Sequence, residues 1–538
     1  MNIPVNLFMW ILAFLPIAVL LVLMIGFHWG ASKAAPVGLL ISAAAGVIFY
    51  RADFRLIAFE GGKGIWNAMT ILIIVLTAIL MYQVGEAANA FQVIKKGMRR
   101  LLPNELLLIL AMGWIFESFL QGITGFGVPV AVGAPLLIGI GMKPVWAVVI
   151  PLLGQSWGNT FGTLAAAWDA LAMTAGLTRG SQEYLLTALW AGLFLWLWNL
   201  TEGLAICWFY GKGQALKKGL PAVLLLSVIQ GGGELLLTQV NTTLACFVPA
   251  CISLIAVFLL GRTKRYGNPW KAEESRIMDP AAQKEEEREA YGKMNLLQAF
   301  IPYIFLAVIA IVVLAVEPVN RFLGQVEIGL AFPRTETGYG FVNEASSSYS
   351  PLQIFTHASM FLLVSALAGL FYYRKKGWIK RGSSAQIFWK TFKMALPSGI
   401  AVICLVAMSR IMSGTGQTME LADGIAGILG RGYVVLAPLI GLLGSFMTGS
   451  NMSSNILFGS FQMTTSQMLN VDPSVILGAQ TAGGSIGSSV SPSNIVLGTT
   501  TAEIPGREGE ILKRNLMLTI PAAIVIGLSL FAMICISG

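Results

Sequence analysis

Two polar strings set in very apolar sequence carry the residue types that could bind a small ligand. The first is Gln155-Ser156-Trp157-Gly158-Asn159-Thr160-Phe161-Gly162-Thr163. It returns 325 residues later as Gln480-Thr481-Ala482-Gly483-Gly484-Ser485-Ile486-Gly487-Ser488. A shorter echo precedes each: Ser118-Phe119-Leu120-Gln121-Gly122 and Ser445-Phe446-Met447-Thr448-Gly449, 327 apart. Two motifs in the same order at nearly the same offset read as an old duplication. A helix broken at such a string exposes the free N–H groups of one half and the free C=O groups of the other. The N-terminal half attracts an anion by roughly 0.3–1 kcal/mol. Glycines allow close backbone approach, and Ser, Thr, Gln and Asn supply directional hydrogen bonds. That cradle suits a small carboxylate carrying a hydroxyl. Small residues also serve plain helix packing, but recurrence in two equivalent places favours a site. The candidate binding residues are Ser118, Gly122, Thr124, Gly125, Gln155, Ser156, Gly158, Asn159, Thr160, Ser450, Asn451, Ser453, Gln480, Thr481, Gly484, Ser485 and Ser488.

Charged side chains inside apolar segments mark function and call for a partner. Glu117 enters the first echo, and Asp169 follows the first string by six residues; either could carry a coupled proton. Arg410 could pair with one of them or hold a carboxylate through its planar fork. Glu202 and Glu234 lie in crossings outside the motifs and rank lower. Gly483-Gly484-Ser485-Ile486-Gly487 matches the Gly-x-Ser-x-Gly elbow of hydrolases, which needs a strand–turn–helix setting and a histidine. Only His28 and His357 exist, and the first copy has Thr160 where the second has Ser485, so hydrolysis is a remote alternative. The five cysteines (207, 246, 251, 404, 535) fall in apolar segments without a Cys-x-x-Cys pair. Neither metal, disulfide nor cofactor is implied.

The elements that must position these residues are membrane helices. Of 538 residues, 56% are hydrophobic and 11% charged, where soluble domains carry roughly 25% charged. Apolar runs of about 20 residues recur throughout. The +9 charge sits mostly in short loops, as the positive-inside rule expects, so it indicates no nucleic-acid partner. The run over 7–24 lacks a basic leader and small-residue cleavage site and reads as a first crossing.

The fold class expected is all-α and polytopic, with about 12 crossings and two re-entrant hairpins in two inverted repeats. Repeat 1 covers 1–210: three spans, a hairpin at 106–140 with arms of roughly a dozen residues, a span at 144–176 broken in its middle, and a closing span from 184. A helix pair at 219–261 and a charged cytoplasmic loop at 262–295, including Lys284-Glu285-Glu286-Glu287-Arg288-Glu289, lie between the repeats. Repeat 2 covers 296–538: spans at 296–316, 351–373 and 394–412, an external loop at 317–350, a hairpin at 432–468, a broken span at 473–503 and a closing span at 515–537. Loop charges orient the repeats oppositely and put both termini outside. Inverted repeats with discontinuous helices are the mark of secondary transporters, with the site where the breaks meet at mid-membrane.

The segments Phe116-Glu117-Ser118-Phe119-Leu120-Gln121-Gly122-Ile123-Thr124-Gly125-Phe126-Gly127, Gly154-Gln155-Ser156-Trp157-Gly158-Asn159 and Ser450-Asn451-Met452-Ser453-Ser454-Asn455 closely resemble the bacterial lactate permease family. The resemblance extends over nearly the whole chain. It implies proton-coupled uptake of lactate and related 2-hydroxy acids such as glycolate across the cytoplasmic membrane. Similar hairpin-containing carriers move by an elevator mechanism and are often homodimers. Two further readings stay open: a sodium-coupled symporter of another carboxylate, with carbonyls freed at the breaks holding Na⁺, and a channel built from broken helices.

Overall fold

The computed structural model describes residues 6–27, 29–125, 127–279, 294–380 and 382–537. Apart from one short ribbon and the connecting turns and loops, the described residues are helical, and the chain is an all-α polytopic membrane protein. Nine helices among the described residues are long and apolar enough to cross a bilayer. His28, Phe126 and the charged cluster at 284–289 lie outside the described residues.

The longest helix, Gln182–Ser227, would extend about 70 Å if straight. That is more than twice the roughly 30 Å of a hydrocarbon core. It folds back instead. Gly211 and Lys212 leave helical geometry, Lys212 at φ +48°. The Asn199 and Gln230 side-chain amides then lie 2.9 Å apart, and the Trp196 indole lies against Gly231. The crossings expected at 184–210 and 219–238 are thus joined by a kink.

Two interrupted units carry the echo motifs. In the first, Glu105–Leu110, a π turn at Ala111–Ile115 and Phe116–Ile123 form one continuous arm, and Val128–Ile138 follows a break. The arm has 19 residues rather than the expected dozen, because the π turn absorbs Gly113 without ending the helix. In the second unit, Ala437–Thr448 and Asn451–Met468 flank Gly449, which sits at φ +80°, a conformation that favours glycine. The two units enter from opposite ends of the final helix, Glu508–Ser537. Both ends of the first abut the 262–279 segment: Glu105 N–H donates to the Trp270 carbonyl at 3.1 Å and Asp279 N–H to that of Gly141 at 2.8 Å. Just beyond, Trp146 stacks under Arg514 near the start of the final helix, 4.4 Å from ring centre to guanidinium. Arg431 and Val471, at the two ends of the second unit, line a cavity with Met533 and Ile534 at its finish.

The loop expected to be external, 317–350, is more ordered than expected. After a short helix, Glu317–Leu323, strand Glu327–Phe332 pairs antiparallel with Ser346–Gln353, and Thr335–Glu336 with Val342–Asn343. This ribbon consumes the start of the span expected at 351, so that helix is Ala358–Lys375. The helix expected at 394–412 runs Ser384–Thr415. Its added turns carry exposed Trp389 and Phe392 beside Lys390 and Lys393, the pattern of an interfacial extension.

Candidate functional site

The first string is split. Gln155 closes helix Pro144–Gly154, a 3₁₀ turn covers Ser156–Asn159, and helix Gly162–Ala175 opens with Thr163, Leu164 and Ala165 in left-handed geometry at φ +49°, +51° and +70°. Left-handed L-residues cost roughly 1–2 kcal/mol each. Two backbone bonds hold the turn: Ala165 N–H to the Phe161 carbonyl at 3.1 Å and Trp168 N–H to that of Thr160 at 3.0 Å.

The second string departs from expectation. It is helical through Gly487 within Pro473–Gly487, and the interruption comes after it, in a 3₁₀ turn at Ser488–Val490 before Pro492–Thr501. Packing is the reason. A Cβ on Gly483 would stand 1.9 Å from the Pro438 carbonyl oxygen, and one on Gly484 2.1 Å from Asn451 Oδ1. Gly483 lets two helices touch backbone to backbone and Gly484 admits the Asn451 side chain, so these glycines serve packing instead of breaking the helix. At the offset of 325, Ser488, Ser489 and Val490 are the counterparts of Thr163, Leu164 and Ala165. The breaks therefore share a repeat position, and the first copy holds an extra turn.

The two strings meet. Thr160 and Thr481 hydroxyls lie 3.1 Å apart. Asn451 Nδ2 donates to Thr160 Oγ1 at 3.0 Å, and Asn455 Nδ2 to Thr481 Oγ1 at 2.8 Å. Asn159 Nδ2 donates to Ser488 Oγ at 2.7 Å, and Ser485 Oγ to the Ser156 carbonyl at 2.6 Å. The second unit's tip joins through Asn494, whose Nδ2 donates to the carbonyls of Ser488 at 3.0 Å and Gly449 at 3.3 Å. Gly125 brings the first unit's tip against Thr163, and a Cβ there would come 2.9 Å from its hydroxyl. Around this joint Thr124 Oγ1, Gln155 Oε1, Ser445 Oγ, Asn451 Oδ1 and Asn455 Oδ1 are buried without a protein partner. Hydroxyls among them can donate to a carboxylate, and amide oxygens can accept from a hydroxyl.

Other expected residues serve the frame. Ser118 Oγ accepts from Trp157 Nε1 at 2.8 Å and donates to the Trp114 carbonyl. Ser156 Oγ meets Glu202 Oε1 at 2.6 Å and accepts from Trp198 Nε1 at 2.7 Å, turned away from the second string. Gln480 is held by Gln462 and Ser454. Gly122 and Gly158 pack on Phe247 and Cys246. Ser450 caps the break beside Thr448, and Ser453 is buried one turn into Asn451–Met468. Ser485 stands in the last turn of Pro473–Gly487 with its hydroxyl committed to the Ser156 carbonyl, not in an elbow.

The charged candidates separate. Glu117 is fully buried against Gly133, and neither oxygen has a donor. Asp169 is partly exposed and faces Arg179 through space. Arg410 pairs with neither of them, nor with the joint. It binds Glu60 at 2.8 Å, and Lys63 binds the other oxygen of Glu60 at 2.6 Å. The ribbon covers this triad: Arg410 and Lys63 each lie 5.6 Å from the Tyr349 ring centre. Burial of Glu60 decides the pairing, since each of its two desolvated oxygens needs a donor and Lys63 and Arg410 supply one apiece. Sequence reasoning missed Asn455 and Asn494 as joint residues. Asn455 lies four residues after Asn451, on the same helix face. No group of three His, Cys, Asp or Glu among the described residues could hold a metal ion.

The L-lactate permease family model matches residues 9–537. An L-lactate permease of Halalkalibacterium halodurans is 25% identical over 94% of this chain and 93% of its own length. L-lactate permease of Escherichia coli is 24% identical over 92% and 90%, and the glycolate permease GlcA of the same organism 23% identical over 92% and 90%. The solved YdaH transporter of Alcanivorax borkumensis is a looser likeness, with TM-score 0.48 and 12% identity over 90% of this chain and 88% of that one. With its two strings joined inside an all-helical membrane fold, the chain belongs to the L-lactate permease family.

Proposed function

We propose that this protein is a secondary carrier that imports L-lactate and related small 2-hydroxy monocarboxylates such as glycolate across the cytoplasmic membrane, together with a proton. The observation that carries the reading is the joint of Thr160, Thr481 and Asn451, which ties the two copies of the repeated string at one place. The joint is ringed by buried hydroxyl donors and amide acceptors without partners, the complement of a carboxylate with a neighbouring hydroxyl. The interrupted units are read as re-entrant hairpins of two inverted repeats, in a span count of twelve. Elevator movement of the joint-bearing elements provides alternating access, and both termini lie outside.

The test is uptake of labelled lactate into proteoliposomes, with proton and sodium gradients imposed separately. Concentrative uptake on the proton gradient alone, with competition by glycolate, is the expected result. Uptake that follows only sodium would replace the coupling ion, and flux without counterflow would point to a channel. Thr481→Val, which keeps volume and removes the hydroxyl, raises KM about tenfold, as losing one or two hydrogen bonds predicts.

A further inference from the structure

The first string is anchored to a carboxylate that neither its motif nor its echo contains. Glu202, 1% exposed on the Gln182–Ser227 helix, receives Trp157 N–H at 3.2 Å and Ser156 Oγ–H at 2.6 Å, both on Oε1. Its Oε2 is buried and has no partner. The titratable group facing it is Glu234 on Gly233–Thr238, which acts through space, with Cys246 beside Glu234. No lysine, arginine or histidine pairs with Glu202 among the described residues. An isolated charge buried in this way is costly. The two donors on Oε1 favour the ionised form, while the bare Oε2 can take a proton. Glu117 has no donor to receive its charged form, and Asp169 faces Arg179 at a partly exposed position.

Resting on the carrier reading above, we infer that Glu202 is the proton-binding site of the transport cycle and that the break at residues 155–163 transmits its state to the substrate joint. The route is short. Ionised Glu202 holds both the hydroxyl of Ser156 and the amide of Trp157, and the Ser156 carbonyl is the acceptor for Ser485 of the second string. A proton taken from water on one side converts Oε2 to O–H, weakens Oε1 as an acceptor and loosens the turn that carries Ser156. Release of the same proton on the other side restores the two bonds. One proton is bound and one released per cycle, so the O–H bond formed on Oε2 is broken again and the carrier returns unchanged.

Glu202→Gln in proteoliposomes tests this. Wild type with a pH difference of one unit accumulates lactate up to about tenfold at one proton per lactate. Glu202→Gln should fall to a ratio near one under the same gradient while retaining lactate–lactate exchange, and that exchange should no longer vary with pH. Accumulation like that of wild type, with an unchanged pH profile of exchange, overturns the inference. Should Glu202→Gln fail to insert, Glu202→Asp decides. It keeps an ionisable group drawn back by one methylene, and is expected to accumulate lactate with a displaced pH profile, an undisplaced profile overturning the assignment. Absence of lactate transport by wild type would instead remove the carrier reading, and Glu202 would not be at issue.

Discussion

The two copies of the repeated string do the same job by different means. The first is opened over eleven residues, 155–165, by a 3₁₀ turn and a left-handed turn. The second stays helical through Gly487 and opens only over Ser488–Val490 and Ser491. The open copy hangs on long side chains: Trp157 on Ser118, Trp198 on Ser156, and both string residues 156 and 157 on Glu202. The closed copy is gripped by backbone contact, with Gly441 and Gly483 admitting the neighbouring helix to within van der Waals range of carbonyl oxygens. Glycines of the same motif thus serve two purposes. Where large side chains brace the surroundings, the string can unwind; where helices press together, it cannot.

The largest expected effect breaks the gripped copy. Gly483→Val drives side-chain atoms into the Pro438 carbonyl and should cost more than about 4 kcal/mol, enough to abolish assembled protein in detergent size exclusion. At the counterpart position in the open copy a Cβ meets side-chain atoms alone, the Cys246 sulfur at 3.0 Å and Gln121 at 3.5 Å, and Gly158→Ala should cost about 1 kcal/mol. Arg410→Gln lies outside both copies. It strips Glu60 of one of two cations, so the unfolding midpoint should drop by the equivalent of about 2–3 kcal/mol while KM for lactate stays unchanged. A changed KM would move Arg410 back to the substrate. Thr160→Val and Thr481→Val should each lower uptake kcat/KM about tenfold, and the double variant little further, for a coupling of about 1 kcal/mol across the copies. The smallest effect separates the breaks themselves. Ala165→Gly relieves a left-handed residue and should raise stability by about 0.5–1 kcal/mol, whereas Ser489→Gly, one position earlier in the equivalent break, should lower it by about as much. Equal signs would mean the two turns are alike after all.

Much of this was readable in the residues. Apolar runs locate the helices because lipid leaves the backbone no other partner, and Gly and Pro locate the interruptions of the two units within 122–129 and 445–455, whereas the break expected across Gln480–Ser488 begins only at its last residue. The joint followed from the repetition itself. What escaped is of two kinds. Contacts between distant segments leave no local trace: Arg410 and Glu60 are 350 residues apart, and Glu202 reaches Ser156 across 46. Glycine is also ambiguous in a membrane protein, since it permits both unwinding and close packing, and only the neighbour shows which. The ribbon over 327–353 was missed although Ile328, Leu330 and Phe332 alternate along its first strand, because its partner Ser346–Gln353 is Ser-rich and shows no such alternation.

The arm Glu105–Ile123 bears on how the protein is made. Its apolar window is wholly covered by protein, and the covering surfaces come later in the chain: Ile150 over Gly113, Gly203 against Trp114, Phe247 against Gly122. As synthesis proceeds, this arm leaves the ribosome before any of them exists. It carries Glu117, a residue that lipid would receive poorly. The arm must therefore wait at the insertion machinery or at the membrane surface until residues near 250 have emerged, and the first half of the molecule closes around it as a late event. Translation stalled between residues 140 and 240 would leave Glu117 open to a water-soluble labelling reagent at a cysteine put in its place, and completion of the chain would shut it away.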